Sequence, residues 1–355
     1  MSKISTSIND DKNVSKLIIS EGIKKIEDNA FEESSYEEII IPSSVTEIGD
    51  DAFSNCKLLK KITIPESVTK IGSRAFLDCE SLEEVSIPEG ITKIKAQTFA
   101  CCNSLKSVVI PSSVKEIERE AFAACKSLES IIIPDSVISI EFAAFANCSS
   151  LKSFAFPNNL KYLGFDILSS CKALETLYIP ENFDFGVAGL ILCCPSLSKF
   201  VVDEKNNYFS TDITGQMLLS KDGTELVAFP SAEGTVVLPE TITKIKSHAF
   251  DKNEKLENIV FPNNLTEIGE GGFSGTSLKK VSIPKSVKKI GIAAFGWTKQ
   301  LESVEFLDSN GWNKDVSNPE INAKRFNDIM LFHDNERVIP CDEEGLGWDE
   351  PLEKV

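Results

Sequence analysis

Proline recurs every 23 residues, at Pro42, Pro65, Pro88, Pro111, Pro134, Pro157 and Pro180. This constrains the chain more tightly than any composition. A unit that short cannot bury a core alone, so copies must stack and share a continuous one. The count passes Asp203 without a proline, crosses a longer unit, and resumes at Pro239, Pro262 and Pro284, spaced 23 and 22. Ser20 holds the equivalent place before Pro42 and Leu307 the one after Pro284, so a single array spans 17–307.

Within a unit the pattern is Leu-x-x-(Val/Ile)-x-Ile-Pro, a second Val or Ile, another Ile, then Ala-Phe and Cys, as in Leu82, Val85, Ile87, Pro88, Ile91, Ile94, Phe99 and Cys102. The Val85-x-Ile87 alternation is the period-two signature of a short strand with one buried face. Proline directly afterwards removes a ladder donor and ends it. A second short extended piece follows, as at 45–49, and the recurrent Ile-Gly marks a tight backbone bend. Phe31, Phe53, Phe76, Phe99, Phe122, Phe145, Phe250, Phe273 and Phe295 supply one ring per unit. They are expected to form a column in which neighbouring coils, about 4.8 Å apart, cover each ring on both sides.

This unit resembles the BspA-like (Treponema pallidum type) leucine-rich repeat over eleven to twelve copies. The resemblance implies a right-handed curved solenoid, β-rich, with short parallel strands on the concave face and short 3-10 or helical turns elsewhere. It also implies a surface or secreted protein that binds proteins or host matrix, with no catalytic site. The expected organisation is a leader at 1–16, a first sub-array at 17–202, an extended repeat with a hairpin insertion at 203–238, a second sub-array at 239–307 and an irregular cap or tail at 308–355. Asp222-Gly223 between two apolar runs is the turn signal for the hairpin. Glu181 to Leu197 loses the Ala-Phe pair, which places a kink between the sub-arrays.

With 37 basic against 54 acidic residues, the net charge of −17 repels phosphate backbones and anionic membranes, so nucleic acid is not an expected partner. No apolar stretch approaches the ~20 residues of a membrane span. The first residues lack the apolar core of a secretory signal, which favours the cytoplasm and opposes the surface location implied by the resemblance. Cys56, Cys79, Cys102, Cys125, Cys148, Cys171 and Cys194 occupy one repeat position. Without a Cys-x-x-Cys motif they are read as a ladder of small apolar core fillers, suited to a reducing compartment. His248 sits at a variable repeat position and reads as a solvated side chain; His333 lies in the tail. The Gly-rich 269–275 stretch is a repeat turn without the Lys-Ser/Thr of a phosphate loop. No catalytic residue, metal or cofactor is expected.

The informative constellation lies on the strands, in residues pointing away from the core. One row reads Ser107, Ser130, Ser153 and Thr176; the other reads Val109, Ile132, Ala155, Tyr178 and Val201. A contiguous exposed apolar stripe marks an interaction surface, and tyrosine anchors interfaces. The expected function is therefore a non-enzymatic scaffold that takes a protein or peptide on the concave sheet face. A structural, self-associating or adhesin-like repeat protein is the alternative.

Overall fold

Val85 is buried between exposed Glu84 and Ser86 in the strand Glu84–Ser86. The same outward, inward, outward order recurs in Lys61–Thr63, Ser107–Val109 and Ser130–Ile132. Stacked in register with Lys16–Ile18 and Glu38–Ile40, these segments form a six-stranded parallel sheet. In the computed structural model, which describes residues 15–187 and 189–307, the chain winds as a parallel-strand β-solenoid of about thirteen coils. The tail at 308–355 and all but the last two residues of the leader lie outside the described residues. Among the described residues no helix is long and apolar enough to cross a membrane.

Beyond each proline, two-residue strands form a second parallel track. Lys25–Ile26, Glu47–Ile48 and Lys70–Ile71 make one sheet, and Lys93–Ile94, Glu116–Ile117, Ser139–Ile140 and Tyr162–Leu163 another. Each ends on an isoleucine or leucine directed at the core.

The third side corrects the expectation of 3-10 or helical turns, because no helix occurs among the described residues. Two residues four apart in a coil take the left-handed conformation, for example Arg74 (φ 54°) and Asp78 (φ 55°). That reversal prevents a helical run, and costs non-glycine residues about 1–2 kcal/mol each. It is offset by where the N–H groups go. Arg74, Phe76 and Asp78 donate to the carbonyls of Ala96, Thr98 and Ala100 in the next coil, at 3.0, 2.9 and 3.0 Å. The turn side is therefore a hydrogen-bonded ladder between coils.

Inside, the phenylalanines stack as expected. From Phe31 to Phe145, successive ring centroids are 5.3–5.5 Å apart and the planes lie within 11°. Leu168 takes the ring's place one unit later, and there the order changes: Phe154 tilts 57° against Phe145 at 5.2 Å. A second stack resumes with Phe250, Phe273 and Phe295.

Between the stacks, Leu218–Ser220 pairs antiparallel with Phe209–Thr211 on one side and with Glu225–Ala228 on the other, the latter around Asp222 and Gly223. The Asp222 carboxylate accepts from the Ser220 hydroxyl and from the Thr224 N–H and hydroxyl, which locks the turn. Glu225–Ala228 then pairs in parallel with Lys244–Ile245, so the hairpin's last strand becomes the first rung of a new second track.

Glycine after the second isoleucine or leucine answers a further need besides the expected bend. Gly49, Gly72, Gly164, Gly269 and Gly291 have no left-handed φ; what they lack is room. A Cβ on Gly72 would stand 2.4 Å from backbone atoms of Gly49 and Asp50 in the adjoining coil. Gly72→Ala is therefore expected to destabilise the first sub-array by about 1–3 kcal/mol, measured by urea unfolding. An unchanged midpoint would show that the coils can separate at no cost.

Candidate functional site

The expected stripe lies on strands of three or four residues, where period two sends alternate side chains outward. Val109 is paired in register with Ile132, and both are largely open, 75% and 81% exposed. Ala155 pairs with Tyr178, and Tyr178 with Val201. Tyr178 is 44% exposed, while Val201 is only half-buried beside the inserted hairpin, whose Gly215 carbonyl accepts the Phe200 N–H at 2.7 Å. In the hydroxyl row, Ser107 and Ser130 are exposed, and Ser153 and Thr176 are half-buried.

Ladder pairing lapses between Ser130–Ile132 and Ser153–Ala155, which belong to different sheets. The coils nevertheless stay joined there, since Lys152 N–H donates to the Glu129 carbonyl at 3.2 Å. That bond belongs to a row just before the strands, Glu37, Lys60, Glu83, Lys106, Glu129, Lys152 and Glu175, in which each N–H donates to the carbonyl one coil earlier. The row alternates in charge, and Lys60–Glu37, Lys106–Glu83 and Lys152–Glu129 pair at 2.9, 3.0 and 3.2 Å. Exposed pairs of this kind contribute at most about 1 kcal/mol each. Along the stripe's own coils, Lys106, Glu129, Lys152 and Glu175 leave this border without net charge.

Two features of the face are not in the expected residue set. A shallow depression of about 370 Å³ lies over Lys61, Thr63, Glu84, Ser86, Ser107 and Val109, so the stripe's first coil is one wall of a hollow with a mixed polar and apolar lining. Val237 and Val260, paired across Gly234–Val237 and Leu256–Val260, are also exposed and put apolar side chains on the second sub-array. Applied to Thr235–Leu238 and Asn258–Phe261, the strand alternation would have found both valines. Nothing in the sequence marks the depression.

The cysteines have a more specific role than apolar filling. Each thiol of the column donates to a carbonyl in the preceding coil: Cys79 to Phe53, Cys102 to Phe76, Cys125 to Phe99, Cys148 to Phe122 and Cys171 to Phe145, at 3.2–3.3 Å. Ser34, Asn253, Thr276 and Thr298 hold the same position in other coils, and the Thr298 hydroxyl likewise reaches Phe273 O at 3.1 Å. The position takes small polar side chains, and most of them donate, although the Asn253 amide nitrogen meets no acceptor. Burial pushes the Cys125, Cys148 and Cys194 thiols up, Cys194 to about 12, so they stay protonated and inert. Cys56 differs, since its neighbours Cys79 and Ser34 lower its thiol, but it is fully buried. No group of three metal-ligating side chains occurs among the described residues.

His248 is half-buried, contrary to its reading as a solvated side chain. It sits where the two stacks adjoin, beside a void of about 10 Å³ shared with Ile191, Leu192, Ala228, Pro230 and Asp251. Its Nδ1 stands 3.8 Å from Asp251 Oδ1, an ionic contact longer than a hydrogen bond. Asp251, then Glu270 of the next coil and Asp166 of the first sub-array, raise its pKa against burial. Burial raises Asp166 as well. His333 lies outside the described residues.

Two outcomes test these assignments. Cys125→Val should cost about 1 kcal/mol more than the isosteric Cys125→Thr, which keeps a donor, as read by thermal melts of both variants. Because the His248 pKa is raised in the folded protein, its contribution is complete below pH 6.5 and is lost as the pH rises through the folded value. Amide protection factors at Phe229 and Phe250 should fall over that rise, and His248→Asn should abolish the change.

The BspA type leucine rich repeat region matches residues 2–129, 115–218 and 231–317, in six copies. Among solved structures, a leucine rich cell surface protein from Faecalibacterium prausnitzii A2-165 is similar at 27% identity and TM-score 0.57, covering 82% of each chain. A leucine-rich repeat protein from Eubacterium ventriosum ATCC 27560 shares the fold at 24% identity and TM-score 0.54; the match covers 64% of this chain and 61% of that one. No curated protein matches. Repeat unit, coil geometry and matched span agree, and the chain belongs to the BspA type leucine-rich repeat family.

Proposed function

We propose that the protein is a non-enzymatic scaffold that recognises a protein or peptide on its strand face. The surface is the set Ser107, Val109, Ser130, Ile132, Ser153, Ala155, Thr176, Tyr178 and Val201. The observation that carries the reading is the adjacent pair Val109 and Ile132, branched apolar side chains in register and open to solvent in a chain of net charge −17. Exposed apolar surface of this kind is unfavourable unless it is covered in use. The hydrogen-bonded coils beneath hold it preformed, so little ordering opposes association. Similarity to a cell-surface protein supports an adhesin-like setting for such a scaffold.

Peptide-display selection on the folded protein tests the reading. Binders enriched on the wild type should lose at least tenfold in affinity to Ile132→Lys, and measurably to Val109→Lys and Tyr178→Ala, with unchanged melting temperatures. Enriched binders indifferent to all three substitutions would remove the strand face as the site.

A further inference from the structure

The two borders of the apolar stripe differ in a way that specifies the occupant. On the side before the strands, Glu and Lys alternate and pair, so that over the stripe's coils, from Lys106 to Glu175, that border carries no net charge. On the other side lie the two residues after each proline. From Pro42 to Pro180 they include Glu66, Glu89, Asp135 and Glu181, all exposed, and no cation. None of the four forms an ion pair among the described residues. The Asp135 carboxylate accepts only from the Asn158 N–H and amide and the Glu66 carboxylate from the Glu89 N–H, so no cation compensates their charge.

The stripe also has a characteristic spacing. It runs across the strands, with one side chain per coil at about 4.8 Å. Side chains on one face of an extended peptide recur at about 6.6 Å and lose step after two coils. The turns of an α-helix recur at about 5.4 Å and stay close to step. Val109 to Val201 is four coil steps, about 19 Å, the length of a helix of about 13 residues. The hydroxyl row, Ser107, Ser130, Ser153 and Thr176, gives such a helix room. Lys61 and Glu84 occupy that row in the earlier coils, where it turns from hydroxyl to charged.

Resting on the strand-face reading, we infer that the partner presents an amphipathic helix along the solenoid axis. Its apolar side chains lie on Val109, Ile132, Ala155 and Tyr178, and lysines or arginines along one edge face Asp135 and Glu181. The Tyr178 ring offers one of those cations a face as well as a contact.

Three synthetic 16-residue probes test this by fluorescence anisotropy at about 150 mM salt: an amphipathic Leu/Lys helix, the same pattern in Leu/Glu, and a Leu/Lys peptide of equal composition with two central prolines. The Leu/Lys helix should bind at least tenfold more tightly than either other probe. Asp135→Lys combined with Glu181→Lys should weaken it about tenfold, and Ile132→Lys should weaken it as much. Glu32→Lys combined with Glu254→Lys, away from the stripe, should change it less than twofold. If those remote reversals matter equally, attraction is only to the net charge and the inference fails. Equal binding of Leu/Lys and Leu/Glu helices, both sensitive to Ile132→Lys, overturns the charge assignment but leaves the strand face as the site. Equal binding of the proline peptide overturns the helix. If no probe binds, the inference also fails, and sensitivity of display-selected peptides to Ile132→Lys decides the strand-face reading separately.

Discussion

A coil of 22 or 23 residues cannot satisfy its own backbone. Many of its N–H and C=O groups point along the solenoid axis, and burying them unpaired would cost more than the coil's apolar contacts return. They are met by the next coil on every side: by β-ladders on two sides and by the alternating left-handed turns on the third. The rest of the structure follows from that axial bonding. It fixes the coil spacing, which brings the phenylalanines into face-to-face contact. It sets the donor requirement of the cysteine position, and leaves no space for a Cβ at Gly72.

The strand face owes its character to the same constraint. Side chains one coil apart are held in register by backbone bonds and owe nothing to their own affinity for one another. A row can therefore carry any chemistry without disturbing the fold. Charged residues occupy the outer rows near the N-terminal end, and serine, threonine and apolar residues the middle of the array. Variation that would break an ordinary core is harmless there, so the face is free to be shaped by what it meets.

Much of this was legible in the sequence. The proline period gave the coil, the Val-x-Ile alternation showed which residues face out, and one phenylalanine per unit implied the stack. The turn side was not legible. Its left-handed residues are Asn29, Asp51, Arg74, Gln97, Glu120 and Ala143 among others, and glycine, which usually marks such a conformation, stands there in the Phe273 coil as Gly271 and Gly275 but not in these, because the restraint comes from the neighbouring coil. The cysteine column suggested apolar filling, since a thiol's donor role shows only beside the carbonyl it meets. His248 looked like one more variable turn residue; its surroundings, with Ile191 beside it and the charge of Asp166 acting on it, come from coils that the sequence sets far away. Within the candidate site, outward direction could be read from the alternation, whereas the shielding of Val201 by the hairpin could not.

The row Glu37, Lys60, Glu83, Lys106, Glu129, Lys152, Glu175 has a further consequence. Its charge repeats every second coil, so the electrostatic period of this border is twice the structural one. Removing one coil from the middle would preserve every strand register and every stacked ring, yet set glutamate against glutamate or lysine against lysine at the junction. Removing two would leave the alternation whole. Along this edge the interchangeable part is a pair of coils, and the array has a parity that its backbone does not reveal.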